Sequence, residues 1–327
     1  AIDELQGRVK TLPYRIGYFL VNDSSNRVDG ICHFVKDAVV DVQRGGPSTG
    51  LPTKSEQADL LQALYGRNGD SPLVVLTAHS PADCFEKAYM AAKIALERMM
   101  PVVLLTDGNL ANGTEPWRVR KVADMPTITP PIVSREELSA KAECFNERGL
   151  FNPYSANEDL ARYWAIPGAE GLEHRLGGLE KQPKTGAISY SPEDHAAMGT
   201  LRAERVERAA ELIPEVAVEG ASEGDLLVLA WGSNVGKVRE AVAQLHAEGV
   251  EIAYATVDLI NPLQNGLIEE LDMYDHILVC ESNSGQLASY LRSVVSHADI
   301  RSVADMGAQP FAVDALKTEI LSNLNLN

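Results

Sequence analysis

The chain has 327 residues, 45% of them hydrophobic, with 46 Asp+Glu against 29 Lys+Arg and a formal net charge of -17. That length and apolar content support packed cores in two domains and exclude a disordered chain. The acidic balance excludes non-specific capture of nucleic acid or anionic lipid, both of which need clustered positive charge.

Residues 1–37 differ in pattern from the rest of the chain. Residues 14–21 read as a strand and 22–26 as an Asn/Asp/Ser turn, a segment too short for half of a doubly wound sheet, so the first α/β domain is expected to be partial. No basic segment followed by an apolar one opens the chain, and the apolar runs at 73–77 and 102–105 fall well below the roughly 20 residues that span a bilayer. Neither a signal peptide nor a membrane span is predicted.

From Ala38 onward, β-branched runs alternate with helical patterns, as in a parallel sheet covered by helices. Strands are predicted over 38–42, 73–77 and 102–106. Between the last two, Phe85, Ala88, Tyr89, Ala92, Ala95, Leu96 and Met99 recur every three or four residues and form one apolar stripe. Ser80 is placed to cap this helix, Pro81 to occupy its first position and Asp83 to face its positive end.

Residues 115–224 are rich in Pro, Gly and charge and read as a long extended connector, with a single helix predicted over 201–213. Alternation returns with strands at 226–230, 252–257 and 276–280, helices at 235–248 and 286–295, and a closing helix at 313–322. The expected architecture is α/β: two open, mainly parallel α/β domains, a partial one over 38–114 and a second over 225–327, joined by the 115–224 connector.

The strongest chemical feature is the loop Asp41-Val-Gln-Arg44-Gly-Gly-Pro-Ser48-Thr49-Gly50-Leu-Pro-Thr53 directly after a strand. Ligands in open α/β sheets bind beyond the carboxyl ends of strands. Glycines admit a ligand to backbone N–H groups, Ser48, Thr49 and Thr53 carry hydroxyls, and Arg44 can grip a carboxylate through two parallel hydrogen bonds. A rigid connector with Arg44 in an internal ion pair is the competing reading. The loop lacks the Lys of a phosphate loop, Gly232-Ser-Asn-Val-Gly236-Lys237 is one residue short of one, and no Gly-x-Gly-x-x-Gly occurs.

Trp231-Gly-Ser-Asn234 and Glu281-Ser-Asn283-Ser-Gly285-Gln286 each join a strand end to a helix start. Capping by Ser233, Asn234, Asn283 or Ser284 is favoured there over anion binding. The seven histidines show no metal-ligand spacing, and His79 reads as a packed, hydrogen-bonded residue before it reads as a base. Gly-x-Ser-x-Gly is absent, which disfavours a serine hydrolase. Cys32, Cys84, Cys144 and Cys280 contain no Cys-x-x-Cys pair, so the chain reads as reduced, cytoplasmic and without its own cluster.

Together, residues 41–53 with Glu56-Gln57, Gly66-Arg-Asn-Gly69-Asp70 and Ser80-Pro-Ala-Asp-Cys-Phe85 resemble the alpha subunit of 2-oxoacid:ferredoxin oxidoreductases. Gly171-Leu-Glu-His174, Gly177-Gly-Leu-Glu-Lys181, Thr185-Gly186, Pro192-Glu193 with His195, and Leu201-Arg202 resemble its large, 2-oxoglutarate-type form. The Trp231 and Glu281 motifs are similar to the family's second domain.

The resemblance implies a partial thiamine-diphosphate pyrimidine-type domain followed by a transketolase-C-terminal-like domain. It also implies a hetero-oligomer with a beta subunit carrying thiamine diphosphate, Mg and a 4Fe-4S cluster, with coenzyme A as co-substrate and ferredoxin as electron acceptor. Arg44 matches the family arginine that recognises the 2-oxoacid, and Thr53 its hydroxyl partner. Ser48 and Thr49 are further loop contacts. The family's upstream pyrimidine-side residues find no match in 1–37. Two other readings stand beside this one: a non-catalytic scaffold that kept the subunit interface, and an E1-type 2-oxoacid dehydrogenase or transketolase-like subunit needing no ferredoxin.

Overall fold

A computed structural model describes residues 38–48 and 50–324. The strand expected over 14–21, the turn at 22–26 and Thr49 lie outside the described residues. The first α/β unit runs β1 (Ala38–Gln43), α1 (Leu60–Tyr65), β2 (Val74–Thr77), α2 (Asp83–Glu97), β3 (Val102–Asp107) and α3 (Gly108–Asn112). The middle stretch holds β4 (Ile132–Val133), α4 (Arg135–Leu138), β5 (Trp164–Ala165) and α5 (Pro192–Glu207). The remainder is β6 (Val218–Gly220), β7 (Gly224–Ala230), α6 (Val235–Ala247), β8 (Ala253–Thr256), β9 (Leu259–Asn261), α7 (Leu267–Leu271), β10 (Tyr274–Glu281), α8 (Gln286–Val294), β11 (Asp299–Ala304) and α9 (Val313–Leu324).

The first sheet has the order β1-β3-β2-β9. Its three N-terminal strands are parallel, with Ala38 and Val74 both in register with Val102. Every residue of β2 and β3 is buried, which is why both open as continuous apolar runs rather than as alternating ones. α2 covers one face through Ala91, Ile94 and Ala95, together with Val206, Ala209, Ala210 and Ile213 from the end of the middle stretch. β9, from the C-terminal part of the chain, pairs antiparallel with β2 and closes the edge of this sheet.

The second sheet has the order β11-β10-β7-β8-β6, parallel except for β6. α6 and α9 cover its outer face through Val238, Val242, Leu245, Leu316 and Ile320. Its inner face does not form a separate core. Leu227, Leu229, Trp231, Ala255, Ile277 and Val279 share one cluster with Leu60, Val75, Val103 and Leu105 of the first unit. Each fully buried Leu or Val of this kind stabilises the fold by roughly 1.5–3 kcal/mol, so the two α/β units hold each other in one arrangement.

The middle stretch carries more local structure than its composition implied. β4 and β5 pair in parallel over a small core of Leu138, Cys144, Phe151, Ala165 and Leu172. Ser134 and Glu137 form a reciprocal capping box at the start of α4, the Ser134 N–H reaching Glu137 Oε2 at 2.6 Å. The buried Arg98 guanidinium, just past α2, pairs with Asp159 and Glu211 and ties the stretch to the first unit.

The helix predicted over 201–213 starts earlier, at Pro192, with the Ser191 hydroxyl accepting the Asp194 N–H at 3.1 Å, and tightens into a 3-10 turn over Arg208–Leu212. Ser80 accepts the Asp83 N–H at 3.2 Å, one turn before the regular helix begins at Asp83. Among the described residues no helix is long and apolar enough to cross a membrane.

Candidate active site

β1 ends at Gln43, and the loop beyond it folds back on itself. The Gly45 N–H donates to the Lys54 carbonyl at 3.1 Å and the Leu51 N–H to the Gly45 carbonyl at 3.0 Å. These bonds bring the two ends of the loop side by side, so Arg44 and Thr53 flank the same neck. Gly50 has φ +50°, and a Cβ there would lie 1.5 Å from the Gly45 carbonyl oxygen, so only glycine permits this closure. Ser48 and Thr53 are held at φ 58° and 59°, a left-handed conformation that costs a non-glycine residue about 1–3 kcal/mol.

Arg44, Ser48 and Thr53 are all exposed, at the carboxyl edge of the first sheet. The Thr53 hydroxyl donates to its neighbour's carbonyl, Pro52 O, at 2.7 Å. Against the back of the loop, Ala308 Cβ lies 3.2 Å from where a Gly45 side chain would sit, and Lys54 Nζ donates to Gln309 Oε1 at 3.4 Å. The C-terminal unit therefore backs the loop.

β1 carries an acidic group that strand alternation alone does not reveal as special. Asp41 shares the face on which Val39 meets the common core. Burial, reinforced by the Asp59 charge, pushes its carboxyl up from 3.8 to about 7. Asp59 is also raised, by burial and by Glu56, against the lowering effect of the Arg44 guanidinium. Arg44 thus acts on Asp59, which in turn helps raise the Asp41 carboxyl.

A folded-state pKa above the unfolded value means the native state binds the extra proton, so stability falls as pH rises from about 4 to 7. Asp41→Asn should match the parent protein at pH 4 and exceed its stability by roughly 2–4 kcal/mol at pH 8. Urea unfolding midpoints at the two pH values measure this. A difference that does not depend on pH would mean Asp41 titrates normally.

The Trp231 and Glu281 motifs meet at a buried seam built on Gln57. Its Nε2 donates to Trp231 O at 2.7 Å, while its Oε1 accepts from Asn234 Nδ2 at 2.7 Å and from the Ser282 N–H at 2.9 Å. The Gln57 carbonyl accepts from Asn283 Nδ2 at 2.8 Å, and the Ser282 carbonyl from the Gln57 N–H at 2.8 Å. Asn283 also caps α8 as expected, its Oδ1 accepting the Gly285 and Gln286 N–H groups at 2.8 and 2.9 Å. Ser233 and Asn234 do not cap with their side chains. The Ser233 N–H donates to Asp107 Oδ2 at 3.1 Å, and Asn234 belongs to the Gln57 network.

His79, beyond the carboxyl end of β2, lies 3.0 Å from Asp83 and 3.2 Å from Asp258, through Nδ1. Burial opposes its charged form, but the Asp258 hydrogen bond and the two carboxylate charges outweigh this and raise its pKa. The three side chains have metal-ligand spacing. Lys87 Nζ, 2.6 Å from Asp258 Oδ2, already supplies a cation there, and the group reads as an electrostatic tie between α2 and the β8–β9 segment.

Cys84, Cys144 and Cys280 fall on α2, in the middle stretch and in β10. Burial pushes the Cys84 thiol up to about 11 and the Cys280 thiol up to about 12. These neutral, scattered thiols do not fit an iron–sulfur cluster, whose ligands are converging thiolates.

Residues 38–186 match the family described as pyruvate flavodoxin/ferredoxin oxidoreductase, thiamine diP-bdg. The chain is 44% identical over 280 residues to the 2-oxoglutarate oxidoreductase subunit KorA of Mycobacterium tuberculosis, covering 85% of this chain and 41% of that protein. Identity to the 2-oxoglutarate synthase subunit KorA of Methanothermobacter marburgensis is 26% over 285 residues, covering 86% of this chain and 72% of the relative.

A solved structure of 2-oxoglutarate:ferredoxin oxidoreductase from Magnetococcus marinus, with 2-oxoglutarate, coenzyme A and succinyl-CoA bound, superposes with a TM-score of 0.79 at 32% identity. It covers 90% of this chain and 50% of the solved one. The chain thus spans about half the length of two of these relatives. Sequence, fold and the order of the motifs agree: this chain is a 2-oxoacid:ferredoxin oxidoreductase alpha-subunit-like protein.

Proposed function

We propose that the chain is the substrate-recognising alpha-subunit part of a thiamine-diphosphate-dependent 2-oxoacid:ferredoxin oxidoreductase acting on 2-oxoglutarate. In that reaction 2-oxoglutarate, coenzyme A and oxidised ferredoxin yield succinyl-CoA, CO2 and reduced ferredoxin. The observation that carries this reading is the closed Arg44–Thr53 loop, which holds an exposed guanidinium at a strand's carboxyl edge. The partner beta subunit holds thiamine diphosphate with Mg and the 4Fe-4S cluster. When bound, thiamine diphosphate supplies the nucleophilic carbon and the electron sink for decarboxylation.

This chain's residues bind and orient. Arg44 donates two parallel hydrogen bonds to a substrate carboxylate. Thr53, once its hydroxyl turns from the Pro52 carbonyl, donates to the same or the neighbouring oxygen, and Ser48 offers a further hydroxyl on the same loop. The rigid neck fixes these donors before the substrate arrives, so little is lost in ordering them. Asp41 keeps part of the acidic patch neutral near pH 7, which lessens repulsion of an incoming dianion.

An exposed apolar set on the middle stretch, including Leu150, Leu179, Ile188 and the 91% exposed Tyr190, supports a subunit interface there. Co-expression with the beta subunit should give a complex that reduces ferredoxin only with both 2-oxoglutarate and coenzyme A present. A chain that purifies without a beta subunit, or an assembled complex indifferent to 2-oxoglutarate, would overturn the reading. Activity independent of ferredoxin would point instead to an E1-type subunit.

A further inference from the structure

Away from the Arg44 loop, the middle stretch encloses a cavity of about 610 Å³ between the 68–71 turn, residues 177–181 and α5. The volume lies in the range of small-molecule sites. The chain is strongly acidic, with a net charge of -17, yet Arg162, Arg202, Arg205 and Lys181 gather on the walls of this cavity. Among the described residues no carboxylate forms an ion pair with any of the three arginines.

Arg162 stacks on the Tyr154 ring at 4.5 Å, which fixes its plane without neutralising it. Arg205 Nε is buried and has no hydrogen-bond partner. Two carboxylates, Asp70 and Glu180, also line the wall; Glu180 is hydrogen-bonded to His195, and, against the opposing effect of burial, that bond with the Arg202 charge helps hold its carboxyl below the usual range. Burial, with repulsion from Arg162 and then Arg202, pushes Arg205 down to about 10, so it remains charged at neutral pH. Arg162 and Arg202 both repel Arg205, and none of the three arginines has a carboxylate within ion-pair distance among the described residues.

We propose that this cavity is a binding site for a phosphate group, either free or as the monoester of a larger ligand. A phosphate carries close to two negative charges and offers several acceptor oxygens, which suits converging guanidinium forks better than a single carboxylate does. The cavity has room for more than the phosphate alone, and the probes are chosen to separate the two sources.

The test is a thermal-shift titration of the full chain, as purified with its natural partners, with inorganic phosphate, glucose 6-phosphate and AMP. Chloride at matched ionic strength is the reference, and Arg44→Gln serves as a control for anions at the other loop. The expected result is a saturable rise in midpoint that persists in Arg44→Gln and weakens at least tenfold in Arg205→Gln and Arg202→Gln. A response to inorganic phosphate as strong as to the esters would identify the free ion, and a stronger response to one ester would identify that class.

Arg205→Gln should also raise the midpoint without any ligand, because it removes a buried, repelled charge. A purely structural arginine would not behave this way. If Arg205→Gln does not fold, Arg202→Gln decides alone. No phosphate-specific shift, or one retained in the variants that fold, overturns the proposal.

Discussion

Arg44→Ala, in the complex assembled with the beta subunit, should lower kcat/KM for 2-oxoglutarate by roughly 10²–10³-fold, about 3–4 kcal/mol if Arg44 behaves like other preorganised donors to a reacting anion. Arg44→Lys should recover only part of this, because an ammonium is a point charge and cannot reproduce the planar fork. The thermal midpoint is the control. Arg44 is exposed, so its replacement should change stability by only about 0.5 kcal/mol.

The acidic patch supplies a second control. With Arg44 removed, the attraction that lowers the Asp59 carboxyl is lost, so a pH–rate profile of Arg44→Lys should stay closer to the parent's than that of Arg44→Ala. If kcat/KM in Arg44→Ala stayed within about threefold of the parent, the guanidinium would not be touching the reacting substrate.

The elements that carry this loop were legible in the sequence because their burial is nearly complete. β2 and β3 are buried throughout and open with three or four consecutive apolar residues, and α2 shows its stripe at helical spacing, so 73–77, 102–106 and the intervening helix were readable from pattern alone. The loop itself was marked by its Gly, Pro and hydroxyl content. What composition could not supply is its closure: the left-handed Ser48 and Thr53 are imposed by hydrogen bonds across the neck, not by their own preferences.

The same distinction explains the parts that were not legible. The strand expected over 252–257 is β8, but β9, three residues long and only two residues further on, gave no signal of its own, although it is where the chain leaves one sheet and joins the other. The first turns of α5 are largely exposed and polar, so its start had no amphipathic signal. The signal for that start is the Ser191-Pro192-Glu193-Asp194 cap, with a hydroxyl before Pro and two acidic residues in the first turn. Asp41 looked like an ordinary alternation position. Its perturbed carboxyl arises from burial and from Asp59, brought close only by the fold. The arginine cavity likewise joins residues from four separate segments.

Gln57 is the extreme case of a residue whose role sequence spacing hides, and its removal should have the largest effect on stability. In Gln57→Ala the Trp231 carbonyl, the Asn234 amide and the Ser282 N–H each lose a partner at a site where Gln57 is only 1% exposed. An unsatisfied buried polar group costs about 1–3 kcal/mol, and partial relaxation around the shorter side chain brings the expected total to roughly 3–5 kcal/mol. Urea unfolding should show this as a lower midpoint with an unchanged slope.

Gln57→Glu is the sharper variant. It keeps the size and the Oε1 acceptor but replaces the Nε2 donor with an oxygen facing the Trp231 carbonyl, so its loss should grow as pH rises through the carboxylate range. The effect should also reach the site. The segment from Thr53 to Gln57 joins the Arg44 loop to this seam, and Gly232, at φ +59°, has no room for a side chain against Gln57 Nε2. A loosened seam frees the loop's C-terminal strut and should raise KM for the 2-oxoacid well below the unfolding temperature. If Gln57→Ala lost stability but kept the parent's KM, the loop would be held by its own neck hydrogen bonds alone, and the seam would serve the fold without serving the site.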